Sequence, residues 1–471
     1  MNASPSPTHD HRGWSRAQRS LAREHAWEDL EVDGVLPDGL RGTLYRNGPG
    51  LFELFDRPYV NWFDGDAALT AFRIGDSAQG ASRILESRHL AEERAAGRPI
   101  YNAGATKGPR WLKRLGGHGK NAANVHVLHH QGALYGVYAG YQPLRFDPDS
   151  LQALGEEAPA SIPLKAMSAH HHRVPARKTT YGYGTTHGPG KSVLHVYALP
   201  DAGPGAEIAA IKLPEGTVLT HDVAVTDRHL VWFVHPVRIP LPLIGIGLVA
   251  PMERMRYRPE RGSEIIVLDL DDPTRITRFH VPSFFHFHFA GAFELGDGRI
   301  AADFVHFADA GVLQNVANAN TRDRDEPIAA VKTSLRRATV DPARESLTTE
   351  VIWDMGCEYP RVDPRGVGRP YQHVWMLTGF NTRGYRIGRI DVEEGSAAEF
   401  LLPDHVYPDE PVFVPGDRPG AGWVLSQVHD ANRDRSGLFV WDAERFPDEP
   451  VARCWLDHPV PHTLHGTWVP A

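Results

Sequence analysis

The sequence predicts an all-β protein, a seven-bladed β-propeller, and three observations favour this fold class. Short strand-like runs ended by Gly, Pro, Asp and Asn dominate the 471 residues, and helical periodicity is scarce. A unit made of a strand, an acidic or Pro turn and a second strand recurs seven times. The turn aspartates are separated by 50 to 72 residues, a spacing typical of propeller blades. They are Asp76, Asp147, Asp201, Asp269, Asp341, Asp391 and Asp442.

The order of the segments then defines the domain organisation. Residues 1–25 begin with a polar stretch rich in Pro and Ser, so we expect a partly disordered N-terminal segment, with helical periodicity over Trp14–His25. The seven units follow at 69–87, 133–154, 192–213, 263–281, 334–354, 384–402 and 436–456. The segment 78–125 is long enough to carry cap or loop structure, with a helix around Leu90–Ala96. We therefore interpret 26–471 as a single β-propeller domain, and unrelated hairpins in two β-sandwiches are the alternative.

Composition limits the classes of function. Hydrophobic residues make up 41% and charged residues 23% of the chain, as in ordinary globular proteins. The net charge of −8, with Lys and Arg not clustered, disfavours nucleic acid as a partner. Cys357 and Cys454 belong to no CxxC pattern, which disfavours a disulfide framework or a zinc–thiolate site. The cysteine pattern fits a reducing compartment, and no apolar run is long enough to span a bilayer. We therefore expect a cytoplasmic protein, with membrane association as a further option.

Four histidines stand on apolar or β-branched backgrounds that are typical of buried strands: His170, His221, His288 and His465. They are 51, 67 and 177 residues apart, so only a closed, radial fold brings them together. They precede the third, fourth and fifth units and follow the seventh, and the innermost strand of each blade lines the axis of a propeller. We therefore predict that the four imidazoles meet at one metal. Such a donor set suits iron, copper or zinc.

Neighbouring histidines compete for two of these positions. His172 lies two residues after His170, and His286 lies two residues before His288. Residues i and i+2 share one face of a strand, so either neighbour can also reach the axis. His171, which directly follows His170, is a further rival. The spacing alone leaves these alternatives open.

A series of short motifs resembles a known family. In chain order they are GTLYRNGPGLFE, NWFDGDAALTAF, KNAANVHV, PLRFDPDSLQALG, THDVAVTDRHLVWF, CEYPRVDP, DEPVFVP and HGTWVP. From about Gly42 to the C-terminus, the chain resembles the carotenoid cleavage oxygenase family. The resemblance implies a seven-bladed propeller with a helical and loop cap over an axial Fe(2+) held by four histidines. It also implies that O2 is used to cleave a conjugated C=C bond into two carbonyl products.

The same resemblance assigns residues to the site. The four histidines are the implied metal ligands, and Glu358 and Glu410 match glutamates that hold ligand rings from outside, although an exposed or salt-bridged glutamate is the alternative. A third glutamate is expected after the strand ALYGVY, where this chain has Ala139. The asparagine expected three residues after His288 is Gly291. These departures leave open an unusual metal affinity, altered chemistry or a catalytically degenerate metal-binding propeller.

The substrate implied by the resemblance is an apolar polyene or an aryl alkene. Phe287, Phe289 and Trp468 flank ligands and are candidates for the substrate tunnel or for the core between blades. Residues 238–251 nearly lack polar side chains, which indicates peripheral membrane contact or simple burial. Lys120 matches a region in which the stilbene-cleaving branch has a lysine that contacts the substrate phenol, and a blade-linking lysine is the alternative. A carotenoid or apocarotenoid is the predicted substrate, with a stilbenoid or phenylpropanoid as the rival.

Overall fold

Seven antiparallel sheets form the blades of a propeller in the computed structural model, which confirms the predicted fold class. The structure describes residues 16–106, 119–218, 220–246, 248–308, 310–313, 332–379 and 384–471. We number the blades 1 to 7 in chain order and give their strands from the axis outward.

The first four blades follow one another around the axis. Blade 1 contains His465–Pro470, Gly42–Leu51, Asp66–Ile74, Ala78–Ile84 and His25–Asp29. Blade 2 contains His126–His130, Ala133–Val137, Leu144–Phe146 and Ala153–Glu156. Blade 3 contains His171–Val174, Thr179–Gly188, Lys191–Pro200 and Ala206–Leu213. Blade 4 contains Ala224–Val225, His229–Val234, Ser263–Asp269 and Ile276–Val281.

The last three blades complete the circle. Blade 5 contains Phe285–Glu294, Ile300–Phe307, Thr333–Asp341 and Ser346–Trp353. Blade 6 contains Cys357–Arg361, His373–Thr378, Arg386–Asp391 and Ser396–Leu401. Blade 7 contains Val406–Pro408 and Val412–Pro415, which both pair with Gly422–Asp430, and then Arg435–Asp442, Ala452–Trp455 and Glu31–Gly34.

The connections between strands carry short helices, 3-10 turns and two small ribbons. The helices are Arg88–Ala96 and Leu241–Gly245. The 3-10 turns are Trp62–Asp64, Pro159–Ser161, Pro175–Arg177, Pro251–Arg254, Pro259–Arg261 and Pro364–Gly366. The ribbons pair Glu53–Leu54 with Arg57–Pro58 and Val237–Arg238 with Arg256–Tyr257. The longer helix confirms the prediction around Leu90, and its N-cap Ser87 accepts the backbone N–H of Leu90 at 3.3 Å.

Each turn aspartate found in the sequence lies at the connection between the third and fourth strands of its blade. Five of the seven carboxylates accept backbone N–H groups of their tight turns, which explains why aspartate recurs there, whereas Asp76 and Asp201 accept from Arg41 and Arg173. The N–H of Ser150, for example, donates to Asp147 at 2.7 Å, and the N–H of Arg344 donates to Asp341 at 3.0 Å. The repeat in the sequence is therefore a repeat of the hairpin between the third and fourth strands of each blade.

Hydrophobic side chains fill all seven junctions between neighbouring blades. Each blade buries both of its faces against its neighbours, so the sequences of its middle strands are long apolar runs. Between blades 3 and 4, for example, the ring of Tyr183 meets Trp232 edge-on at 5.9 Å between centroids. The continuous ring of junctions fixes the inner strands around one axis.

Both ends of the chain close this ring. The C-terminal strand His465–Pro470 is the innermost strand of blade 1 and places His465 opposite Asn47. The early strands His25–Asp29 and Glu31–Gly34 form the outer edges of blades 1 and 7. The last segment of the sequence therefore reaches the axis, where histidines from earlier blades also arrive.

The expected N-terminal segment packs against the ring in its described part. Residues 1–15 lie outside the described residues. Residues 17–24 form no helix, so the helical periodicity predicted there was misleading over this stretch. The reason is tertiary: the N–H of Leu21 donates to the carbonyl of Gly50 at 2.7 Å, and Ala17 is buried. An extended strap satisfies these contacts where a helix does not.

Candidate metal centre

The structure brings the four predicted ligand histidines together at the axis. His465 begins the inner strand of blade 1, and His288 lies within the inner strand of blade 5. His170 directly precedes the inner strand of blade 3, and His221 lies shortly before the inner strand of blade 4. The ring centroids of His170 lie 4.5, 5.0 and 4.8 Å from those of His221, His288 and His465. The His288 centroid lies 5.0 Å from both His221 and His465. Residues separated by up to 295 positions thus share one small space, as the inner strands of a closed propeller require.

Two of the rings are held from outside by the two predicted glutamates. Nδ1 of His288 lies 2.6 Å from Oε2 of Glu358, and Nδ1 of His465 lies 2.8 Å from Oε1 of Glu410. An ionised carboxylate only accepts hydrogen bonds, so each Nδ1 carries the proton and each Nε2 presents a lone pair. Glu358 is the second residue of the inner strand of blade 6, Cys357–Arg361, and Glu410 lies between the two inner segments of blade 7.

The inward nitrogens have the character of metal ligands. Nε2 of His288 is buried and has no hydrogen-bond partner among the described residues. Nε2 of His170 faces Nε2 of His221 at 3.1 Å, and one ligand atom from each of these three histidines lies within 4.8 Å of the others. Burial lowers the pKa of His170 and His221 well below its usual value, with neighbouring histidines adding to the effect. Burial acts to lower the pKa of His288, but Glu358 outweighs it and raises that pKa. Imidazole nitrogens that converge on one point fit a divalent metal cation, which would displace a proton from the His288 ring.

Glu410 is the more strongly anchored of the two glutamates. Its carboxylate accepts from Nη1 of Arg46 at 3.0 Å and from Nε of Arg361 at 2.8 Å, in addition to the ring of His465. Burial acts to raise the pKa of Glu410, but Arg361, His465 and Arg46 outweigh it and hold the pKa well below its usual value. Sequence reasoning missed both arginines, although Arg46 stands in GTLYRNGPGLFE and Arg361 in CEYPRVDP.

A β-bulge separates His288 from its rival. His286 pairs with His306 and Phe289 pairs with Phe304, so two residues of the inner strand stand opposite one residue of its neighbour. The bulge breaks the rule that residues i and i+2 share a face. His286 consequently packs against the ring of Phe289 at 4.5 Å in the junction between blades, while His288 faces the axis.

The rivals of His170 are also engaged elsewhere. Nε2 of His172 lies 2.8 Å from Oδ1 of Asp222. The ring of His171 stacks on His126 with centroids 4.8 Å apart and an interplanar angle of 25°. Asp222 and His126 were not singled out in the sequence, although each stands inside a quoted motif, THDVAVTDRHLVWF and KNAANVHV. The signal that could have found Asp222 is its position directly after His221.

The two departures from the family pattern have different structural contexts. Ala139 is exposed in a turn that ends the second strand of blade 2 and offers no carboxylate. A β-carbon at Gly291 would lie 2.6 Å from Cε1 of Tyr371. The hydroxyl of Tyr371 donates to Asp303 at 2.7 Å, so this ring is fixed in the space that a side chain at 291 would need. Gly291 is therefore required by the packing of blade 5 against Tyr371.

The predicted substrate-binding aromatics lie in unlike surroundings. The ring of Phe287 meets His221 edge-on at 4.9 Å, so Phe287 is adjacent to the centre. Phe289 belongs to the hydrophobic cluster between blades 4 and 5, and Trp468 packs against the cluster between blades 7 and 1. Phe289 and Trp468 therefore pack as core residues between blades, which was the alternative to a place in the substrate tunnel.

Lys120 is buried in a polar cluster formed by Tyr59, Asp66, Glu93 and Lys120, which we call the lysine cluster. Its ammonium nitrogen lies 2.7 Å from the hydroxyl of Tyr59, 2.6 Å from Asp66 and 2.7 Å from Glu93. A lysine ammonium has three N–H donors, and these three contacts use them all. These surroundings favour the alternative interpretation, a structural lysine that links segments, and the contact with a substrate phenol stays a prediction.

The apolar segment predicted at 238–251 is partly exposed. It contains the helix Leu241–Gly245, and Leu243, Ile246 and Leu248 are 39%, 53% and 59% exposed. Simple burial therefore does not describe these three side chains. Within the described part of the chain, no helix combines the length and apolarity needed to cross a bilayer.

Fold and site together define a propeller protein with an axial cluster of four imidazoles backed by carboxylates. The retinal pigment epithelial membrane protein family matches residues 18–470. The chain therefore belongs to this family, the carotenoid cleavage oxygenases, as its motifs predicted.

Individual relatives cover almost the whole chain. The apocarotenoid-15,15'-oxygenase of Synechocystis is 30% identical over 482 residues, covering 97% of this chain and 96% of the relative. The resveratrol cleavage oxygenase 1 of Chaetomium globosum is 25% identical over 524 residues, covering 94% and 85%. The crystal structure of a cobalt-substituted Synechocystis apocarotenoid oxygenase superposes with a TM-score of 0.88 at 28% identity, covering 99% and 100%.

Proposed function

We propose that this protein is an Fe(2+)-dependent dioxygenase that cleaves a C=C bond of a carotenoid or apocarotenoid into two carbonyl products. The observation that carries the proposal is the convergence of ring nitrogens of His170, His221 and His288 within 4.8 Å of one another at the axis, with His465 beside them. The 30% identity to an apocarotenoid oxygenase over nearly the whole chain supports the substrate class.

In this mechanism the residues of the site hold the metal and orient the ligand rings, and they transfer no protons. Four neutral imidazoles would bind Fe(2+) as its ligands, and the ion would supply the oxygen chemistry when bound. Glu358 and Glu410 fix two of the rings by accepting their outer N–H groups. Phe287 presents an apolar face beside His221, which suits an alkene and excludes water from it.

A stilbenoid or phenylpropanoid alkene is the second candidate substrate. The 25% identity to a resveratrol cleavage oxygenase supports it. The buried contacts of Lys120 count against it, because a phenol clamp needs a free donor at that position. The apocarotenoid proposal is preferred for this reason.

We also propose that the exposed apolar side chains of the 238–251 segment touch a membrane surface, from which a polyene enters. Leu243, Ile246 and Leu248 form the exposed apolar group, and Arg254 and Arg256 follow it in the chain, where they could meet lipid headgroups. The protein would then be cytoplasmic with a peripheral membrane contact.

The deciding experiment measures metal, oxygen and substrate in one preparation. Purified protein loaded with Fe(2+) is incubated in air with an apocarotenal and, separately, with resveratrol. We expect loss of the long-wavelength polyene absorbance, consumption of O2 and two carbonyl products from the apocarotenal alone. Cleavage of resveratrol alone would establish the rival substrate. Iron binding without O2 consumption on either substrate would instead indicate a degenerate metal-binding propeller.

A further inference from the structure

Asp222 is a buried carboxylate at the centre that the mechanism above does not use. Its Oδ1 lies 2.8 Å from Nε2 of His172 and 4.0 Å from Nδ1 of His170. Its Oδ2 accepts the backbone N–H of Phe289 at 2.9 Å, and Oδ1 accepts the N–H of Val223 at 2.8 Å. A carboxylate removed from water is stabilised only if its oxygens find donors, and here both oxygens have them.

These contacts tie Asp222 to three of the four histidine-bearing segments. Asp222 directly follows His221 in blade 4. Its partner Phe289 directly follows His288 in blade 5, and its partner His172 lies two residues after His170 in blade 3. One side chain therefore fixes the relative positions of three neighbouring inner strands where their histidines meet.

The gap between Asp222 and His170 also has room for water. Both residues line one cavity of about 110 Å³, together with His288 and His465. A bound water needs roughly 10–15 Å³ of such space and two or more polar partners. A water between Nδ1–H of His170 and the carboxylate would complete the contact that the 4.0 Å separation leaves open.

We infer that Asp222, oriented by His172, is a third carboxylate of the metal centre, beside Glu358 and Glu410. It acts as a positioning residue that ties the strands of blades 3, 4 and 5 together and so orients His170, His221 and His288 toward one point. The inference rests on the proposed function, because it requires a metal at the four histidines.

The test compares the affinity and the spectrum of bound Co(2+) in four proteins. They are the wild type, Asp222→Asn, His172→Phe and the control Glu207→Gln. Asn at 222 keeps the shape of the side chain and removes its charge. Glu207 pairs with His195 at the same 2.8 Å distance but lies on the outer strand of blade 3. Each protein is stripped with a chelator, and Co(2+) alone is titrated against a chromophoric competitor.

We expect Asp222→Asn to weaken Co(2+) binding by about 10- to 100-fold, the usual effect of removing a carboxylate behind a ligand ring, and to shift the visible bands of the bound ion. His172→Phe weakens binding by a smaller factor, and Glu207→Gln leaves affinity and spectrum unchanged. Wild-type affinity and bands in folded Asp222→Asn would overturn the inference. If that variant does not fold, wild-type binding in His172→Phe overturns it equally. A wild type that binds no Co(2+) would instead overturn the proposed function itself.

Discussion

The axial histidines and the lysine cluster are both buried polar groups assembled from distant parts of the chain, but they differ in how their atoms are satisfied. In the lysine cluster the ammonium of Lys120 donates to three oxygens of the protein within 2.7 Å. At the axis, the outer nitrogens of His288 and His465 are satisfied while the inner nitrogen of His288 has no partner among the described residues. All three donors of Lys120 are used, although Oδ1 of Asp66 has no partner among the described residues, and such a cluster stabilises the fold. Histidine lone pairs that converge on one point are instead suited to a ligand.

The largest expected effect follows from removing a member of the axial cluster. His288→Ala and His465→Ala should each lower bound iron from about one per chain to background, because a metal centre with too few ligands does not hold its ion. Elemental analysis of purified protein measures this directly. The same variants should keep the circular dichroism spectrum of the wild type. Full iron content in either variant would remove that histidine from the ligand set.

The second prediction concerns the lysine cluster and should show the opposite pattern. Lys120→Met leaves Asp66 and Glu93 buried without their cation, and breaking a buried ion pair in this way costs about 3–5 kcal/mol of unfolding free energy. Chemical denaturation measures the loss, and iron content per folded chain should stay at the wild-type value. The matched control is Lys165→Met, whose exposed pair with Glu207 is worth at most about 1 kcal/mol. A rise in substrate KM without loss of stability would restore the phenol-clamp interpretation.

The third prediction tests whether the glutamates behind the rings act on the metal. Glu358→Gln replaces an acceptor of the His288 N–H by an amide and should weaken metal binding by about 10- to 100-fold. Competition with a chelator measures the affinity. Glu410→Gln provides the internal comparison: it also removes the counter-charge of the buried Arg46 and of the half-buried Arg361, so it should lower stability as well as affinity. Equal effects of both variants on stability would show that the arginines do not matter.

The repeated architecture was accessible to sequence reasoning because an aspartate marks the same hairpin of every blade. Five of the seven accept backbone N–H groups of their own turn, as Asp147 and Asp341 do. The four histidines were accessible because their spacing follows the blade repeat, so each lies in or close to the inner strand of a different blade.

The remaining features of the site depend on tertiary geometry that a single sequence does not encode locally. The choice of His288 over His286 depends on a bulge, which is an irregularity of strand pairing. The surroundings of Lys120 depend on Asp66 and Glu93, which lie 54 and 27 residues away. Asp222 received no role because its partners come from blades 3 and 5.

The smallest expected effect concerns histidines that are buried but belong to neither cluster. Both ring nitrogens of His235 face carbonyl oxygens, at 3.0 and 3.1 Å, and burial lowers its pKa from 6.5 to about 4. The unfolded chain therefore binds a proton below pH 6.5 that the folded chain refuses until about pH 4, so stability is present above pH 6.5 and falls as the pH drops through that window. Between pH 6.5 and 5.5 this single group removes about 1 kcal/mol. Denaturation at both pH values should show a shallower fall in His235→Phe than in the wild type, whereas His280→Ala, at an exposed position, should keep the wild-type slope. An unchanged slope in His235→Phe would mean that the carbonyls stabilise the protonated ring. His235 would then resemble Lys120, a buried cation whose donors are all used by the protein.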